Sequence, residues 1–183
     1  MASFQDRVVG AMRLQPATFE EIEHDPTAVS QSAIVVLAVA LAGVIGSLRY
    51  GFFAGTATAM IVFALIGWAV SSAVVWLIGT RLMPGKNTEA DFQQVLRVVG
   101  FAQAPGLLSI LGIIPILGVL IRFVVWIWTL VALVIAVRQA LDYDDTLKAV
   151  IVCVIAWVVM FVATLMVGFL GFGAAMMGGA LTS

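Results

Sequence analysis

The sequence predicts an all-α, polytopic membrane protein: five transmembrane helices, short interfacial helices ahead of them, and a cytoplasmic N-terminus. Charged residues are absent from long runs, 27–48, 50–80, 98–121, 123–137 and 149–183, and bunched between them. About 20 apolar residues are enough for a helix to cross a bilayer. The composition is 63% hydrophobic and 10% charged, against roughly a quarter charged in soluble domains, so no water-soluble surface can be built from it. The basic residues also divide unevenly about the runs, which sets an orientation.

The chain reads as an N-terminal cytoplasmic or interfacial segment, 1–26, followed by one membrane domain, 27–183, with spans at 28–48, 56–79, 98–114, 117–138 and 146–170. Its polar stretches are too short to enclose a core of their own. A net charge of −1 gives no sign of nucleic-acid binding. The single cysteine, Cys153, excludes an internal disulfide and a cysteine-based metal cluster. No removable targeting signal is visible ahead of the first run, so span one is expected to act as an uncleaved anchor.

Residues 3–14 place Phe4, Val8 and Met12 at four-residue spacing with Asp6, Arg7 and Arg13 elsewhere on the wheel. This predicts a helix lying in the headgroup layer, closed by Pro16. Thr18 and Glu21 have the spacing of a capping box for a second short helix. Asp25-Pro26 looks like an N-cap followed by a proline in the first turn, ahead of span one. The acids around His24 are accounted for by capping and solvation, because one histidine gives no metal-ligand spacing.

In span one Ala38, Ala42, Gly43 and Gly46 form a small-residue face that admits a neighbouring helix closely. Span two offers Gly67 and Ser71 as a second notch, and a tight turn over 50–55 makes spans one and two an antiparallel hairpin. In the polar segment 80–97, Pro84-Gly85 signals a turn, Thr88 is placed to cap, and Phe92, Val95, Leu96 and Val99 share the apolar face of an interfacial helix. Span three carries Gly100, Pro105, Gly106, Gly112 and Pro115. Proline removes a backbone hydrogen bond, so Pro105 is expected to kink the helix and Pro115 to end it. Gln103 is the candidate polar group of that broken span.

Arg122 and Arg138 bracket span four, about 24 Å apart at 1.5 Å per residue, and read as snorkelling interface anchors, as does Arg49 at the far end of span one. Trp126 and Trp128 read as interfacial or packing residues. Asp142, Asp144 and Asp145 lack the alternating pattern of a calcium loop, and Asp144 or Asp145 is the natural N-cap of span five.

With five spans, Arg7, Arg13, Arg81, Lys86, Arg97, Arg138 and Lys148 share one side, and only Arg49 and Arg122 lie on the other. That bias places the N-terminus in the cytoplasm and the C-terminus outside.

The phrase Thr18-Phe19-Glu20-Glu21-Ile22-Glu23-His24-Asp25-Pro26-Thr27-Ala28, then Leu96-Arg97-Val98-Val99-Gly100-Phe101-Ala102-Gln103-Ala104-Pro105, resembles bacterial members of the Yip1 family. Trp128-Thr129-Leu130-Val131-Ala132 and the segment from Ile135 to Tyr143 extend the resemblance, which runs from residue 18 to about 159. Gly100, Phe101 and Pro105 are similar to a Gly-aromatic-x-x-x-Pro motif of eukaryotic members, with phenylalanine in place of tyrosine. The resemblance implies five spans, a cytoplasmic N-terminus and, for a bacterial member, the inner membrane. Eukaryotic members are associated with Rab GTPases in vesicle traffic. This chain has neither their long N-terminal region nor an Asp-Leu-Tyr-Gly-Pro element, so a Rab-type GTPase is not expected as a partner.

No Ser, His or Cys stands in a catalytic spacing, so neither enzyme activity nor a cofactor or metal is expected. The leading reading is a non-enzymatic scaffold, assembly factor or accessory subunit, touching lipid and other integral membrane proteins through helix faces. The alternative is a small transporter or channel using the broken third span.

Overall fold

The computed structural model describes residues 2–48, 54–86, 88–115 and 117–181, with the side chains of 54–56 and 170–181 excepted. The elements of the described residues are all helices: α1 (Phe4–Met12), α2 (Pro16–His24), α3 (Ala28–Ser47), α4 (Ala54–Leu77) running on into a π-helical turn (Ile78–Leu82), α5 (Phe92–Phe101), a 3-10 helix (Ala104–Ile113), α6 (Leu117–Ala140) and α7 (Thr146–Leu181). Five stretches are long and apolar enough to cross a membrane: Ala28–Ser47, Ala57–Leu82, Phe92–Ile113, Leu117–Ala140 and Thr146–Phe169. Arg49 and most of the turn between α3 and α4 lie outside the described residues.

The third span is the centre of the bundle. In its apolar window 56% of residues are buried, against 17–28% in the other four, because the 3-10 helix lies between α3 and α6 while α5 packs against α2, α3, α4 and α6. The outer helices are apolar all round, as lipid-facing helices must be.

Pro105 does not kink a continuous α-helix. α5 stops at Phe101, and Ala104–Ile113 continues as a 3-10 helix with Pro105 in its first turn. Without an N–H, Pro105 cannot serve the carbonyl four residues back, so the α pattern has to end there. After Pro115 the chain turns into α6, with the Gly118 N–H on the Ile114 carbonyl at 2.9 Å.

Three local expectations are corrected. α2 begins at Pro16 behind Gln15, so Thr18 lies inside the helix, and Glu21 reaches Arg7 instead of closing a capping box. α5 is capped by Asp91, which accepts from the Gln94 N–H at 2.8 Å while Gln94 accepts from the Asp91 N–H. Thr88 instead donates to the Leu141 carbonyl at 2.6 Å. Thr27 precedes α3, and Asp25 Oδ1 accepts from both the Thr27 N–H and its hydroxyl at 2.9 and 2.7 Å. For α7, Asp145 Oδ1 accepts from the Leu147 N–H at 2.9 Å, as expected of a cap.

The polar segments meet at one end of the bundle. The Tyr143 hydroxyl lies 3.1 Å from the Gly79 carbonyl and 2.7 Å from that of Met83. Lys148 Nζ donates to the Pro84 carbonyl, and Gln139 Nε2 donates to Glu20 at 3.1 Å. The opposite end is joined by Arg122, whose Nη2 donates to the Gly46 carbonyl and the Ser47 hydroxyl at 2.8 and 3.2 Å.

Candidate functional site

α1 and α2 fold back on each other as a hairpin, with Gly10 against Thr18 and Arg7 against Glu21. Leu14 makes the reversal at φ 59, a left-handed conformation uncommon outside glycine. Of the Phe4, Val8, Met12 stripe that its spacing suggests, α1 packs Val8 and Met12 half-buried against the core and leaves Phe4 exposed. It buries Arg7, Gly10 and Ala11, because the small residues admit α2 and the arginine finds two acids there.

Arg7 is 1% exposed and pairs with Asp25 at 2.6 Å and Glu21 at 3.1 Å. Its Nη1 also donates to Gln31 of α3 at 3.1 Å. Bonds from the Thr27 hydroxyl, then from Arg7, pull the Asp25 carboxyl down to about 2. The Ala2 N–H, then Arg7, hold Glu21 below the usual carboxylate range. The hairpin is thereby locked to the start of α3 at a buried ion cluster, where removing one partner strands the other.

The hairpin lies over the third span and α6. Phe4 meets Phe101 edge to face with centroids 6.2 Å apart. Trp128 Nε1 donates to the Met12 carbonyl at 2.8 Å, which puts the hairpin tip beside the middle of α6. Arg97 is 5% exposed, contrary to its expected place among the loop charges, and its Nη2 donates to the Glu23 carbonyl.

Beneath the hairpin lie the motif residues. Gly100 brings α5 against α3 and α4 so closely that a Cβ would stand 2.6 Å from Ser32 Cβ and 3.0 Å from Trp68 Nε1. Side chains of those helices tie α5 down: the Ser32 hydroxyl donates to the Arg97 carbonyl at 2.8 Å, and Trp68 Nε1 to that of Leu96 at 3.0 Å. Phe101 and Pro105 are fully buried. Gln103 is half-buried in the break between α5 and the 3-10 helix, its N–H on the Gly100 carbonyl at 3.2 Å. Gly100, Phe101, Gln103 and Pro105 are therefore brought together as the packed junction under the hairpin.

The remaining singled-out residues lie apart. Arg122 holds the end of α3, and Arg138 reaches the carbonyls of Tyr143 and Asp144 at 3.2 and 3.4 Å. Trp126 is half exposed on the lateral face of α6. Cys153 is buried on α7, and His24 is exposed with its Nδ1 2.9 Å from the Glu20 carbonyl. No group of three or more His, Cys, Asp or Glu side chains is placed to hold a metal among the described residues.

Sequence reasoning missed Arg7, Glu23 and Arg97 as buried groups. A usable signal was there: Arg7 precedes Gly10 and Ala11 by three and four positions, so the guanidinium shares a face with the two smallest side chains of α1.

Five membrane-spanning helices with a packed third span define a multi-pass membrane protein. The profile of the Yip1 domain matches residues 9–180, so the chain belongs to the Yip1 family. Members of that family are generally non-enzymatic membrane proteins. No curated protein and no solved structure matches the chain.

Proposed function

We propose that this Yip1-family chain works without chemistry of its own, as a scaffold, assembly factor or accessory subunit that holds other integral membrane proteins by helix–helix contact. The observation that carries the reading is the contrast between the third span, the most buried of the five, and the lateral face of α6 and α7. There Trp126 and Trp157 are 50% and 55% exposed, flanking an apolar groove of about 270 Å³ between the two helices, lined also by Leu130, Val134, Val150 and Cys153. Aromatic side chains are favoured anchors in protein contacts. A small-residue junction inside and aromatic ridges outside suit a protein whose helices are gripped from the side.

The inner membrane and a cytoplasmic N-terminus complete the proposal. With Arg7 and Arg97 withdrawn into the bundle, the remaining basic residues still divide five to two in favour of the N-terminal side. Extraction in a mild detergent with tagged chain is expected to recover a stoichiometric membrane partner, and W126A/W157A is expected to lose it. A monodisperse monomer without partner in several detergents would sink the proposal, and substrate flux in liposomes abolished by Q103A would replace it with a transporter.

A further inference from the structure

Among the described residues of the N-terminal hairpin and its link to α3, every acid but Glu23 has a partner, Asp6 accepting from the Ser3 N–H. Asp25 and Glu21 meet Arg7, and Glu20 accepts from Gln139. Glu23 is 3% exposed, and its Oε2 has no hydrogen-bond partner among the described residues. The charged groups that face it are Asp142 from the α6–α7 loop, Glu20 and His24 on its own helix, and Arg97 from α5. Arg97 spends Nη2 on the backbone carbonyl of Glu23, and its Nε is buried without a partner too. Arg7 on α1 is occupied by Asp25 and Glu21, and Arg138 on α6 by two loop carbonyls.

A carboxylate in that position has one buried oxygen without a donor, no ion pair, and two like charges near it; a neutral carboxyl group escapes these penalties. We propose that Glu23 is a proton-controlled clasp: protonated, it lets α2 lie against α5 and the α6–α7 loop, and ionised, it drives the hairpin off that surface. The clasp governs access to the motif junction, because the hairpin covers Phe101 through Phe4 and holds Arg97 through the Glu23 carbonyl.

Burial, then the Asp142 charge, pushes the Glu23 carboxyl up to about 7, while His24 and Arg97 pull the other way. In a released hairpin the group reverts towards its ordinary 4.5. The docked state therefore binds the proton more tightly. The Glu23 contribution to docking is full below the lower value, weakens as pH rises between the two, and levels off above about 7.

The test uses the full chain in phosphatidylcholine nanodiscs, with spin labels at A17C on α2 and L147C on α7 in a C153A background. At pH 5.5 a single short inter-label distance is expected. By pH 8 a longer population should grow, changing the ratio of the two by about tenfold or more, since each pH unit between the two ionisation ranges is worth up to a factor of ten. E23Q is expected to keep the short distance throughout the range from pH 5.5 to 8. D142N, which removes the facing charge, should move the midpoint to lower pH, and it serves as the test if E23Q does not fold. Between pH 5.5 and 8, a distance distribution in the parent protein that ignores pH, a pH response that survives E23Q, or a midpoint unmoved in D142N would each overturn the proposal.

Discussion

At the scale of single residues, the junction is set by contacts with no slack. Gly100 is the sharpest case, since the atoms a Cβ would meet belong to Ser32, which is held by its own bonds to the carbonyls of Ala28 and Arg97, and to the Trp68 ring, held on Leu96. G100A must push α5 away from α3 and α4, and overpacking of this kind costs about 1–3 kcal/mol. Thermal unfolding in nanodiscs should show a lower midpoint for G100A, whereas G67A, where no atom lies within 4 Å of the added carbon, should sit near the parent. Asp25 offers a second residue-scale outcome. Its folded-state value of about 2 lies below the ordinary 3.8, so the stability it contributes is complete above about 4 and lost as pH falls towards 2. Acid titration of the hairpin, followed by the same spin labels, should show release in that interval, and D25N should lack the transition because its hairpin is already weakened at neutral pH.

At the scale of elements, the N-terminal hairpin depends on one arginine more than on its own helix propensity, since two nine-residue helices are too short to persist alone. R7A leaves Asp25 and Glu21 facing each other without their cation, a loss in the range of about 3–5 kcal/mol for a broken buried pair. Phe19, fully buried in the docked hairpin, should then become a chymotrypsin site in intact nanodiscs, and the appearance of that cut against an uncut parent is the measurement. The existence of both short helices is legible in the sequence, from the apolar spacing of the first and the Thr18–Glu21 spacing of the second, although that spacing misplaces the second helix's start, which lies at Pro16. Their docking is not, because the burial of Arg7 depends on acids that arrive from another helix 14 and 18 positions later. The same distinction separates the two halves of span three. Pro105 announces a disturbance of the α-helix, read as a kink, but that the helix stops and a 3-10 helix follows depends on α3 and α6 closing around it, and nothing local encodes that.

At the scale of the whole molecule, the five spans are legible because each hydrophobic run is bounded by charge, and lipid leaves the backbone no option but helix. What the runs do not reveal is their order from centre to edge: the least hydrophobic span is the innermost, because its polar groups find partners in protein. The bonds from Tyr143, Lys148, Thr88 and Gln139 hold the loop after α6 against both the segment after α4 and the N-terminal hairpin. Single cysteines at Ser3, Lys86 and Asp144 should therefore react with an impermeant maleimide from the same face of sealed vesicles, and labelling of one of them from the opposite face would break the five-span topology.

The composition of the third span bears on how the chain enters the membrane during synthesis. Its mean hydropathy is 1.5, against 2.3 to 3.0 for the others, and it carries Arg97, a residue that is expensive to pass into lipid on its own. Handed to the bilayer alone, this segment is the poorest of the five at partitioning. Its preceding neighbours, α3 and α4, hold the Ser32 and Trp68 donors that receive it, so their insertion prepares a place that lipid does not offer. The central helix is in this sense a late guest, admitted by the helices made before it and sealed in by α6, made after.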